Sequence, residues 1–246
     1  MRSGPSSTTT YRGPVVDDGT AARVVAALEA VRDPDELAKV RTRLAPDEPA
    51  IGMRMGDLFA VAAAHRDLDL AEVDRLLDNP AYEPRMAAFC ILDFQVRKRL
   101  DDDARRARYD LYLGRHDRIT TWDMVDRAAP RVVGGHLRGR SLQPLHDLAV
   151  AGDPLRRRTA ITAPLLFVKE GTDDEVAEGC TVAAVLAADP APEVHKAVGT
   201  FLKHAGRRDP ERLHRFLDAH EPDMPRVAVR LAVAGLDPDD RARYVG

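Results

Sequence analysis

The sequence predicts an all-α protein, wound as an α-solenoid. Three observations carry this. Apolar residues recur at helical spacing almost everywhere from Ala21 onward, whereas the alternation of a half-buried strand is scarce. Hydrophobic residues make up 44 % of the chain and aromatic ones only 5 %, and much of the apolar content is Ala, Val and Leu, which suits helices packed through small side chains. Breakers punctuate the chain at Asn79-Pro80, Asp153-Pro154, Asp189-Pro190 and Glu221-Pro222, each between two apolar segments.

In chain order, residues 1–20 are rich in Ser, Thr and Gly with two prolines and read as a flexible leader; residues 21–246 read as a single repeat domain. Val24, Val25, Leu28 and Val31 mark the first apolar helix face, Val73, Leu76 and Leu77 a later one, and Leu213, Phe216 and Leu217 one near the end. The acidic runs Asp101-Asp102-Asp103 and Asp173-Asp174-Glu175 stand where helices should start and complement the helix dipole. Gly134-Gly135 reads as a helix stop rather than a phosphate loop, because no strand precedes it. At each breaker the expectation is an N-cap followed by Pro in the first turn.

The segments after the breakers repeat. Arg85-Met-Ala, Arg158-Thr-Ala, His195-Lys-Ala and Arg226-Val-Ala each place a basic residue two before an alanine. The separations are 73, 37 and 31 residues, and the first is close to twice the second. A further member is therefore expected near Trp122 and Asp126. Helix pairs at a period of roughly 40 residues are the mark of HEAT-like repeats, whose second helices line a concave face. One row of that face is expected to carry Arg85, Trp122, Arg158, His195 and Arg226.

Composition narrows the function. The net charge is -3, which excludes a globally basic nucleic-acid binder and leaves room only for a local patch. Arg156, Arg157 and Arg158 are its core, with Arg85, Lys196, Lys203, Arg207 and Arg208 as further candidates; an arginine-rich helix face that is merely solvated is the alternative. Cys90 and Cys180 lie far apart in apolar surroundings and read as reduced, buried thiols. The eight histidines, including His116, His136 and His146, show no zinc spacing, so neither metal nor organic cofactor is expected. No run of eighteen apolar residues and no signal core occurs, and a soluble, cytoplasmic monomer without membrane contact is expected.

Trp122, the only tryptophan, precedes Asp126 by four residues, so in a helix the two share one face. An indole beside a carboxylate is costly if buried unpaired, and attractive to a docked cation. A core anchor and a helix-face salt-bridge partner are the structural alternatives for the two residues.

Thr121-Trp-Asp-Met-Val-Asp-Arg-Ala-Ala-Pro-Arg-Val-Val-Gly134 followed by Leu155-Arg-Arg-Arg-Thr-Ala-Ile161 resembles the AlkD family, DNA alkylation repair glycosylases built from HEAT-like repeats. Gly52-Met-Arg-Met-Gly-Asp-Leu58, Pro84-Arg-Met-Ala-Ala88 and Val194-His-Lys-Ala-Val-Gly199 extend the resemblance over roughly residues 50 to 210. It implies a right-handed superhelix whose basic concave face holds duplex DNA, and excision of cationic N3- or N7-alkylated purines in base excision repair, without a deep base-flipping pocket. It assigns Asp126 and Trp122 to the catalytic site and Arg157 and Arg158 to the DNA backbone; Arg85, Lys196 and Thr200 complete the expected DNA-binding face. Many members carry a second tryptophan where this chain has Thr200. A non-catalytic HEAT-repeat module that binds DNA or a protein partner through the same face is the alternative.

Overall fold

The computed structural model describes residues 20–245. Among them every regular element is helical and no strand occurs. The expected leader lies outside the described residues, apart from Thr20. Its hydroxyl accepts a hydrogen bond from the Arg23 amide and caps α1 (Ala21–Ala30).

The first part of the chain forms α2 (Pro34–Arg41), α3 (Met55–Ala64), α4 (Leu70–Leu77) and the long α5 (Tyr82–Val96). Helix α6 (Asp102–Gly114) and a 3-10 turn at His116–Arg118 lead to α7 (Trp122–Ala129), a π-helical turn Pro130–Gly134 and the short α8 (Gly135–Leu137). Then come α9 (Gln143–Ala149), α10 (Pro154–Thr162), α11 (Leu165–Glu170), α12 (Asp173–Val185) and α13 (Pro192–Arg208). Helices α14 (Pro210–His220), α15 (Arg226–Ala232) and α16 (Pro238–Ala242) complete the chain.

Helices α5, α7, α10, α13 and α15 pack each against the next, while α4, α9, α12 and α14 each pack against a member of that row. This succession is consistent with an α-solenoid. The apolar stripes read from the sequence bury their leading members: Val24, Leu28, Val73, Leu76, Leu77, Leu213, Phe216 and Leu217 are all in the core. Helix α5 is buried on nearly every side, and each polar residue it buries finds partners. The Glu83 carboxylate accepts from the Ile51 and Gly52 amides at 2.8 and 2.9 Å, and Gln95 donates to the Leu68 carbonyl at 2.7 Å.

Both acidic runs start helices as expected. Asp101 caps α6, and Thr172 with Glu175 forms a reciprocal capping box on α12. The breakers divide. Asp153 caps α10 with Pro154 in its first turn. Asn79 and Asp189 instead accept from the amides of Ala81 and Ala191, so each closes a turn one step before its helix. Glu221-Pro222 opens a 3-10 turn, and α15 starts only after Pro225.

The helix stop expected at Gly134-Gly135 does not occur. The chain runs on through the π turn into α8, and Gly139, at φ +72°, lies beyond its end. The physical reason for glycine here is contact, since a Cβ at Gly134 would lie 2.3 Å from the Ala163 carbonyl oxygen. Proline at the head of the π turn lacks the N–H that a regular helix would use there. Among the described residues no helix is long and apolar enough to cross a membrane.

Candidate functional site

The start of α7 is fixed by the first aspartate of the Trp-Asp-x-x-Asp run. Buried Asp123 accepts from the Thr121 hydroxyl at 2.5 Å and from the Tyr82 phenol of α5 at 2.8 Å, with Arg43 at 3.7 Å. Burial, then the Asp123 charge, pushes the Tyr82 phenol well above its usual range. One residue earlier in the helix, Trp122 points elsewhere. It is 46 % exposed, which rules out a core anchor. Asp126, one turn on, shares its face with a side chain 38 % exposed.

Arg158 of α10 joins the pair. Its Nε and Nη2 donate to the two Asp126 carboxylate oxygens at 2.9 and 2.7 Å, a bidentate fork, and Nη1 donates to the Glu193 carbonyl. The guanidinium also lies 5.6 Å from the Trp122 ring centroid, within cation–π range. Asp126 is thus a salt-bridge partner, as one alternative had it, and also an open carboxylate. These three side chains, with Pro192, Glu193, Lys196, Thr200 and Leu231, line a cleft of about 470 Å³.

Behind Arg158 stands a buried polar cluster that sequence reasoning missed. The Thr159 hydroxyl meets the Tyr112 phenol at 3.0 Å and His116 Nε2 at 2.9 Å, bolting α10 to α6 and the turn after it. Burial raises the Tyr112 phenol, while burial and Arg156 pull the His116 imidazole down to about 4. The cluster sets the orientation from which Arg158 reaches Asp126. Nothing in the local pattern of Tyr112, His116 and Thr159 signals their meeting, because they come from separate elements.

The other expected DNA contacts are dispersed. Arg157 donates to Asp189 at 2.6 and 3.2 Å and to the carbonyls of Ala151 and Gly152 at 2.8 and 2.9 Å. It ties the loop before α10 to the loop before α13. Arg85 is buried in an ion pair with Glu48, which also accepts from Thr120 at 2.7 Å. His195 Nε2 contacts the Asp189 carbonyl at 2.6 Å, and Arg226 donates to Glu221 and to the Tyr244 carbonyl. Arg208 caps the end of α11 through the carbonyls of Phe167, Val168 and Gly171. Lys196 and Thr200 do line the cleft. Of the five positions expected in one row, the structure brings Trp122 and Arg158 together at the cleft.

Two other chemistries find no support. Cys90 and Cys180 are free thiols that burial pushes up to about 12 and about 11, so neither is a thiolate nucleophile near neutral pH. Among the described residues no group of His, Cys, Asp or Glu has the arrangement to hold a metal.

What the cleft offers is an exposed carboxylate on a fixed guanidinium, an open indole face and a lysine within reach. Comparison with curated proteins gave no match. The family model described as DNA alkylation repair enzyme matches residues 24–236. The chain therefore belongs to the DNA alkylation repair enzyme family, and its role lies in DNA alkylation repair.

Proposed function

We propose that the protein is a DNA glycosylase that removes cationic N3- or N7-alkylated purines from duplex DNA. One observation carries this reading: Asp126 presents a carboxylate to the same open cleft as the exposed Trp122 ring, and Arg158 fixes its direction. An alkylated purine already carries positive charge, so its C1′–N bond breaks with the electron pair passing to the base, which leaves neutral. The positive charge then resides on the deoxyribose. Asp126 stabilises that oxocarbenium-like charge and orients a water whose oxygen bonds to C1′, the released proton passing to the carboxylate or to solvent. Trp122 packs on the sugar and the cationic base. Lys196, which makes no ion pair among the described residues, takes a phosphate beside the lesion. Neither metal nor organic cofactor enters this chemistry.

The test is base release from duplex DNA carrying N7- or N3-alkylpurines. Wild type is expected to release base well above the spontaneous rate, and Asp126→Asn to suppress release while duplex binding persists. No release by wild type from several alkylated substrates sinks the enzymatic reading. A second reading, a module that binds DNA without excision, is favoured by Thr200, which lines the cleft and brings no aromatic ring to it. Salt-sensitive duplex binding with no release would select it.

A further inference from the structure

A second basic cleft lies at the other end of α7. It encloses about 460 Å³ between the end of α5, the start of α6, the π turn with α8, and α11. Six cations line it against two carboxylates, in a chain whose net charge is -3. Arg138 pairs with Glu170 at 2.9 Å and Arg140 with Asp102 at 3.0 Å, which uses both carboxylates. Arg97 and Arg131 rest on one buried carboxylate, Asp93, which also holds Arg127 at 3.0 Å. One anion therefore serves three guanidiniums. It anchors Arg97 and Arg131 from beneath while their side chains stay about 40 % exposed. The side chains of Arg105 and Lys169 have no hydrogen bond or ion pair among the described residues.

An excess of positive charge in a concave site, held in place by a buried carboxylate, is the composition of an anion-binding site. We propose that this cleft is a second backbone site for the phosphodiesters of the bound duplex. That Trp122 and Asp126 hold the damaged nucleotide rests on the glycosylase reading; phosphate binding rests on this cleft's own charge. Trp122 opens α7 and Arg131 lies in the turn that ends it, nine residues later. At 1.5 Å per residue the two are roughly 14 Å apart along the axis. Nine residues at 3.6 per turn also rotate Arg131 about half a turn from Trp122, so the two clefts open on opposite flanks of α7, one toward α10 and one toward α5.

The test is a salt titration of binding to undamaged duplex, with wild type, an Arg105→Ala/Lys169→Ala double variant and Lys196→Ala. The double variant is expected to bind several-fold more weakly, and the slope of log affinity against log salt to fall by about 2, as for two lost phosphate contacts. Single-turnover base release at saturating protein should be unchanged. Lys169→Arg, which conserves the charge, should keep wild-type affinity. An unchanged slope in the double variant overturns the second site, even if Lys196→Ala weakens binding and wild type excises normally. Absence of duplex binding by wild type at low salt overturns both sites together, whereas binding without excision overturns only the glycosylase reading.

Discussion

Asp126 turns its carboxylate to the cleft, and the Arg158 guanidinium sets the direction in which it points. Replacing Arg158 by Lys keeps the charge but removes the planar fork that meets both carboxylate oxygens. Losing charge-assisted hydrogen bonds of about 1.5–3 kcal/mol predicts base release slower by roughly 10- to 100-fold for Arg158→Lys. Single-turnover kinetics check this, with duplex affinity as the control. Thr200 faces the same cleft with no ring. Thr200→Trp is expected to add a stacking surface worth about 1–3 kcal/mol and to tighten binding to alkylated duplex more than to undamaged duplex. Equal affinities for wild type and Thr200→Trp on the alkylated substrate would show that position 200 does not face the lesion. At this scale the sequence was informative wherever the contact is local. The shared face of Trp122 and Asp126 follows from helical spacing alone. Arg157 was not readable, because its partner Asp189 lies 32 residues away and claims its donors.

At the scale of elements, the row α5–α7–α10–α13–α15 depends on close backbone approach. A Cβ at Gly199 would lie 2.5 Å from the Ala228 carbonyl oxygen and 2.8 Å from Leu231 Cβ. Gly199→Ala is therefore expected to wedge α13 from α15 and destabilise the fold by about 1–3 kcal/mol, as overpacking does, while shifting Leu231 in the cleft. Urea denaturation measures the first effect and duplex binding the second. The seat of α10 carries a pH signature. His116 is fully buried, and burial with the Arg156 charge pulls its imidazole down to about 4 from the ordinary 6.5. Between these values the unfolded chain takes up the proton first. Stability is then full above about pH 6.5 and is lost as pH falls toward 4, by up to roughly 3 kcal/mol. Unfolding followed across this window should show the slope, and His116→Asn should flatten it. Helix starts were legible from Asp101, Thr172-Glu175 and Asp153, where the cap and the helix are neighbours in sequence. Asn79 and Asp189 misled, because an Asx turn and an N-cap use the same side chain one step apart.

Across the whole molecule, a net charge of -3 is compatible with DNA as substrate only if cations are concentrated. Ion pairs consume many of the candidates. Arg85, Arg157, Arg208 and Arg226 all bind other parts of the protein, whereas Lys196 stands at the cleft without an ion pair among the described residues. Duplex affinity should therefore depend on salt through few contacts. Lys196→Ala is expected to reduce the log–log slope by about 1, and a slope equal to that of wild type would remove Lys196 from the interface.

The helical class and the pairing of Trp122 with Asp126 followed from the sequence alone, because hydrophobic periodicity and one-turn spacing are properties of a single helix. So did the family resemblance, which motif residues carry without knowledge of their contacts. Only the tertiary structure decided which arginines are spent on the protein itself, and that Arg158 rather than Arg157 reaches the carboxylate. The reason is physical: a guanidinium's partner is set by which carboxylate and carbonyl groups lie within reach in space, and here those groups arrive from helices and loops more than thirty residues away.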